Sequence, residues 1–161
     1  MKNYHKQETE MLAKCARNIQ HFLGNGFTRD IYMDALEWEF KHFSVPYSRN
    51  VQIPVFYGPD KEILPHKYTA DFIIYDKIVV LVRSEEDVIT QTTFTLLTML
   101  HATKQNLAVL VQFKADRVQF NRVCRYSKFL NSVNIRSCGA GADNGTNEDF
   151  ENGDFEEEIA I

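Results

Sequence analysis

Three stretches rich in Val, Ile and Tyr follow one another with no helical pattern between them, and this run, bracketed by amphipathic segments, most narrows the fold. They cover residues 51–57, 66–75 and 77–83 and are separated by Gly58-Pro59-Asp60 and Tyr75-Asp76. β-Branched and aromatic residues bounded by turn formers mark strands, and the last pair reads as a hairpin. Before them, residues 9–23 carry Met11, Leu12, Cys15, Ile19, Phe22 and Leu23 at three- and four-residue spacing, a helix that Gly24-Asn25-Gly26 stops. A second helix is expected over 28–43, with Pro46 closing the region. After the strands, Ser84-Glu85-Glu86-Asp87 has the spacing of a capping box, opening a helix to about residue 103 despite its threonines. Residues 107–113 form another apolar strand and 118–125 a further short element. This order predicts an α/β (α+β) chain: one mixed sheet flanked by helices.

A length of 161 residues with 44% hydrophobic and 12% aromatic content suits one globular domain with a real core. Cys15, Cys124 and Cys138 are odd in number and lack zinc spacing. They are expected to be reduced thiols in an intracellular protein, cytoplasmic or nuclear. The N-terminal ten residues are polar and the longest aliphatic run, 78–82, is far too short to span a bilayer, so no secretion signal or membrane contact is expected. Charge is unevenly spread. Residues 137–161 hold eight acidic and no basic side chains, leaving 18 basic against 14 acidic residues in 1–136, a net of +4. We therefore expect a domain over 1–136 and an acidic disordered tail over 137–161, whose few apolar residues cannot offset the entropy of ordering it.

Two carboxylates are out of place. On a helical wheel Glu39 falls within the apolar arc of Ile31, Tyr32, Ala35, Leu36, Phe40 and Phe43, so it should point inward, while Trp38 is expected to anchor the core. Asp71 sits in the strand Tyr68-Thr69-Ala70-Asp71-Phe72-Ile73-Ile74 among residues that want burial. A buried carboxylate is costly unless it is paired, hydrogen-bonded or metal-bound. Either an internal Lys or Arg neutralises it or a site for a divalent ion is being built.

At this point the chain resembles a known family. Leu23-Gly24-Asn25-Gly26-Phe27, followed by Tyr32, Ala35-Leu36 and Glu39-Phe40, resembles the opening signature of the GxxExxY proteins of the PD-(D/E)XK nuclease superfamily. Val51-Gln52-Ile53-Pro54-Val55-Phe56-Tyr57 resembles their "IPV-aromatic" strand, and residues 68–74 their "ADLVV" strand. Leu96-Leu97, Leu100-His101-Ala102-Thr103 and residues 107–113 resemble their "LLNYLKATG" helix and following strand. The implied fold is an αβββαβ nuclease core with an extra N-terminal helix. The resemblance carries the helix glutamate onto Glu39 and the metal-binding aspartate onto Asp71. The strand that should read E-L-K reads Leu81-Val82-Arg83, the helix Q-x-x-x-Y falls on Thr95 and Met99, and the naming glutamate falls on Arg29. These departures predict a remnant catalytic site of Glu39, Asp71 and Arg83, in which Leu81 removes an oxygen ligand. Arg83 could hold a phosphate or pair with Asp71 or Glu39. No cofactor is expected; Mg2+, with Asp71 as its ligand, enters only if the site still works.

Between Phe113 and Arg136 six basic residues, Lys114, Arg117, Arg122, Arg125, Lys128 and Arg136, meet one acid, Asp116, with Phe113, Phe120, Tyr126 and Phe129 interleaved. Phosphate contacts and base stacking could both come from such a stretch, which makes DNA or RNA a candidate partner; a basic surface over core aromatics has the same pattern. If it is a nucleic-acid site, the acidic tail is expected to fold back and compete for it. Three functions follow: a non-enzymatic binding module descended from a nuclease, an active Mg-dependent nuclease whose missing groups have migrated to Glu85, Glu86 or Lys77, and a protein-interaction subunit. No P-loop, G-x-S-x-G or H-E-x-x-H motif occurs.

Overall fold

The computed structural model describes residues 5–84 and 89–125. The elements run α1 (Lys6–Leu23), α2 (Arg29–His42), β1 (Tyr47–Tyr57), β2 (Glu62–Ile74), β3 (Ile78–Arg83), α3 (Ile89–Thr103), β4 (Leu107–Phe113) and β5 (Val118–Cys124). This is the expected order, with longer first and second strands. Glu85, Glu86 and the whole span 126–161, including Lys128 and the acidic tail, lie outside the described residues.

The five strands form one sheet in the order β1-β2-β3-β4-β5. Only β3 and β4 are parallel, joined by α3 as the crossover; the other neighbours are antiparallel. Every residue of β3 except Arg83 is buried. A strand covered on both faces must be apolar throughout, which is why Ile-Val-Val-Leu-Val shows no alternation. α1 and α2 cover one face, burying Leu12, Cys15, Ile19, Tyr32, Leu36 and Phe40 against Phe72, Val80, Val82, Val109 and Val111. α3 covers the other, where Leu96, Met99 and Leu100 meet Ile53, Val79, Leu81, Ala108 and Leu110.

The helix ends follow local chemistry. Gly24, at φ 74°, closes α1, its N–H donating to Gln20 O at 2.9 Å. α2 ends with Val45 N–H donating to Phe40 O at 2.8 Å and Ser44 N–H to Lys41 O at 3.3 Å, a Schellman arrangement with Ser44, not glycine, at positive φ of 54°. Two expectations need correction. Trp38 is 61% exposed, stacked on His42 at 5.2 Å, and does not anchor the core; Met33 takes the buried place instead. Ile31 and Phe22 are also exposed, because each sits at the margin of its helix's apolar arc, beyond the sheet's reach. Cys15 is free and buried, and Cys138 lies outside the described residues.

Candidate functional site

β2 and β3 pair only from Phe72↔Val80 to Ile74↔Ile78. On the other side of β2 the ladder also breaks beside this opening, apart from its register shift between Pro54 and Phe56: Arg49 pairs with Phe72 and Val51 with Ala70, while Asn50, at φ 54°, and Asp71 drop out. Residues two apart in a strand normally share a face. Here Phe72 packs under α1 and α2 while Ala70 packs under α3. The backbone turns over at Asn50 and Asp71, and the side chain of Asp71 fills the opening between β2 and β3.

Its carboxylate, 2% exposed, is satisfied from three directions. Oδ2 accepts from Val82 N–H at 2.7 Å and from Arg83 Nη1 at 3.2 Å. Oδ1 accepts from Arg29 Nη2. Arg83 Nη1 also donates to Val82 O at 2.6 Å. A buried charge becomes tolerable when such donors replace its lost water.

Arg29 reaches Asp71 because the turn before α2 is tied to the β4–β5 turn. Asn25 Nδ2 donates to Ala115 O at 3.1 Å and Gln20 Nε2 to Lys114 O at 3.4 Å. Tyr32 stacks flat on Phe113 at 4.1 Å while its hydroxyl donates to Gly24 O at 3.1 Å and accepts from Phe27 N–H at 3.3 Å. Arg29 is the site residue that sequence reasoning passed over. Its signal was a charge reversal, an arginine where the resemblance puts a glutamate.

Glu39 is inward as expected and 5% exposed, yet it lies in the α1–α2 interface, where it accepts from Asn18 Nδ2 at 3.0 Å. No ion pair joins it to Arg83 or Arg29 among the described residues. Burial, with the Glu39 charge adding to it, pushes the neighbouring Cys15 thiol up to about 12. Thus Arg83 neutralises Asp71 and leaves Glu39 to a neutral amide.

The donor set around Asp71 does not suit a divalent ion, which needs oxygen ligands. Both Asp71 oxygens face guanidinium groups. Leu81 is fully buried in the apolar cluster with Leu96, Leu100 and Leu110. Among the described residues no group of three His, Cys, Asp or Glu side chains is arranged to hold a metal. Lys77 bonds Glu8 at 3.3 Å beyond the opposite end of β3, roughly 20 Å of strand from Arg83.

The basic stretch divides by position. Lys114 and the exposed Arg117 occupy the β4–β5 turn, whereas Arg125, whose N–H donates to Asn106 O, lies roughly 25 Å of strand away at the other end of β5. Arg122 is half-buried on the α1 side, and burial lowers its pKa. Phe113 and Phe120 are core residues, 1% and 0% exposed, so neither offers a stacking face.

No described helix is long and apolar enough to cross a membrane. Among solved structures, one titled "Crystal structure of SSO0001" aligns with a TM-score of 0.49 at 20% identity, covering 60% of this chain and 50% of that one. The chain thus spans half the length of that protein. No curated protein matches. A family model described as "PD-(D/E)XK nuclease superfamily" matches residues 6–123, nearly the whole described fold. With the sheet order and the Asp71 opening set beside that match, the chain belongs to the PD-(D/E)XK nuclease superfamily.

Proposed function

We propose that this protein is a GxxExxY-type member of the superfamily that no longer cleaves phosphodiesters and serves as a non-enzymatic binding module for nucleic acid. One observation carries the reading: the Asp71 carboxylate is bonded by Arg29, Arg83 and Val82 N–H, and the neighbouring acid position is a buried leucine. Metal-dependent hydrolysis uses a divalent ion to lower the pKa of a water and to steady the leaving oxygen. Guanidinium groups hold their protons, so they can attract a phosphate but cannot generate that nucleophile. The superfamily supports nucleic acid as the class of partner, and the basic side chains at the sheet end supply charge for it.

The test is a cleavage assay on single- and double-stranded DNA and RNA in Mg2+ and in Mn2+, comparing wild type with Asp71→Ala and Glu39→Ala. The reading expects no strand scission above a buffer control in any of them. Scission by the wild type that either substitution abolishes would establish the active nuclease instead.

A protein partner is favoured by one separate observation. The β1–β2 hairpin ends in Phe56, Tyr57, Ile63 and Leu64, all exposed, with Phe56 paired to Ile63 across the strands. Contiguous exposed apolar residues mark interaction surfaces. Affinity purification with and without nuclease treatment separates this reading: protein partners that persist after nuclease digestion support it, and their loss points to tethering through nucleic acid.

A further inference from the structure

We infer that two copies of this chain associate through the outer face of α2, the helices antiparallel about a two-fold axis, with Trp38 of each copy packed against Ile31 of the other. The inference goes beyond the binding-module reading and does not rest on it.

Trp38 is 61% exposed and Ile31 42%, although both are large and apolar. They stand about two helical turns apart on α2, so they share one side of it, and half-buried Ala35 lies between them. α1 extends the patch. Lys14 Nζ sits over the Phe43 ring at 4.3 Å and Asn18 bonds Glu39, contacts that fix the two helices as antiparallel. In that register the next turn of α1 sets Phe22, 77% exposed, alongside Ala35. Trp38, Ile31 and Phe22 together leave roughly 400 Å2 of apolar side chain in water, the size of a functional patch on a monomer. Two copies facing each other cover about twice that area, and with a polar rim of Asp30, Asp34 and Lys41 the contact reaches the low end of specific interfaces, about 1,200 Å2. Interfaces of this size are often transient, so a dimer of micromolar affinity is expected.

The helix is complementary to itself, which points to a second copy as the occupant. An antiparallel dyad between Asp34 and Ala35 sets Trp38 against Ile31 of the second copy and Ile31 against its Trp38, so one apolar contact is made twice. His42 stacks on the Trp38 ring at 5.2 Å, 8° from parallel, and leaves the opposite face of the indole for that contact. The charges match in the same frame. Asp30 in the first turn and Lys41 in the last, 84% and 64% exposed, are about three turns apart and lie on one flank of α2. Like flanks meet in antiparallel helices, so Asp30 of each copy reaches Lys41 of the other, whereas parallel helices would bring like charges level. Lys41 also holds Glu37 of its own helix at 3.3 Å, and an ammonium with three donors serves both carboxylates. Asp34 lies nearest the dyad and there meets its own counterpart. Arg49, bonded to it at 2.6 Å and also to Glu37, offsets that charge.

The test is sedimentation velocity on the full chain, freed of nucleic acid by nuclease digestion, from about 1 to about 200 µM, a span that brackets a micromolar Kd. The wild type is expected to pass from monomer to dimer over this range. Trp38→Glu, at an exposed position, is expected to weaken association about thirtyfold or more. Asp30→Lys and Lys41→Glu each set like charges together at two symmetric contacts, and each alone is expected to weaken it about tenfold. Mixed in equal amounts, those two variants regain opposite charges at both contacts and are expected to form a heterodimer of near wild-type affinity. The mixture decides the matter if Trp38→Glu does not fold. Tyr57→Asp, on the β1–β2 hairpin, is expected to leave the dimer unchanged. A wild type that stays monomeric throughout assigns the patch to another protein or to residues 126–161 and overturns the inference. A dimer that survives Trp38→Glu, one lost by Tyr57→Asp, or a mixture no tighter than its components would overturn it as well. These outcomes leave the non-cleaving reading untouched, which the cleavage assay tests separately.

Discussion

Replacing Asp71 by alanine should unfold the domain more readily than almost any other single truncation of a side chain this small. The carboxylate is 2% exposed and accepts from one buried backbone N–H and two arginines. Leaving Val82 N–H without an acceptor costs about 1–3 kcal/mol. Arg29 and Arg83 are 37% and 22% exposed, so each can turn partly to water, and we discount their losses to about 0.5–1 kcal/mol apiece. The expected destabilisation is about 2–5 kcal/mol, a large share of the roughly 5–15 kcal/mol that a domain has in hand. Asparagine retains an oxygen for Val82 N–H and should cost only about 1–2 kcal/mol. Urea denaturation followed by far-UV circular dichroism reads both as shifts of midpoint at constant slope. Equal midpoints for wild type and Asp71→Ala, or equal losses for alanine and asparagine, would refute the reasoning, since each would mean that Val82 N–H does not depend on this acceptor.

Ser44→Gly should raise stability by about 1 kcal/mol, because the helix-ending residue sits at φ 54° where a side chain is strained; a lower urea midpoint would count against that cap. The Arg49 and Tyr47 hydrogen bonds hold the Glu37 carboxyl down to about 2 from its ordinary 4.5. A depressed folded-state pKa gives stability that is complete above the unfolded value and lost as pH falls through the folded one. The midpoint gap between wild type and Glu37→Gln should therefore hold at pH 6, shrink between pH 4.5 and 2, and contradict the assignment if it widens there. Cys15, buried and pushed up to about 12, should resist alkylation in the native state at pH 7.5 and react once urea unfolds the chain; rapid native labelling would show the α1–α2 interface to be open.

The sequence made the sheet legible where periodicity reports burial directly. The unbroken aliphatic β3 and the turn residues at 58–60 and 75–76 announce their strands, and both inward carboxylates, Glu39 and Asp71, are readable as acids on apolar faces. Partners were harder to read, because they depend on tertiary contacts. Glu39 is held by Asn18 from a neighbouring helix, 21 residues away, and Arg29 meets Asp71 only because Asn25 and Tyr32 pin the α2 start to the β4–β5 turn. Trp38 shows the limit of composition as a guide: the chain's one tryptophan lies on the outer side of α2, where the wheel alone separates it from its buried neighbours Leu36 and Phe40. The basic stretch left two patterns open in the sequence, and strand alternation places Phe113 and Phe120 in the core beneath a basic surface while β5 carries Arg125 away from Lys114.

The most direct measurement is isothermal titration calorimetry of Mn2+ into the wild-type chain and into the variant Arg29→Glu, Leu81→Glu, Arg83→Lys, which returns to the Asp71 opening the charges that the family resemblance assigns there. Guanidinium occupancy of the carboxylate predicts no saturable binding by the wild type at millimolar Mn2+ and a saturable site in the variant. Saturable binding by the wild type that Asp71→Asn removes would contradict it.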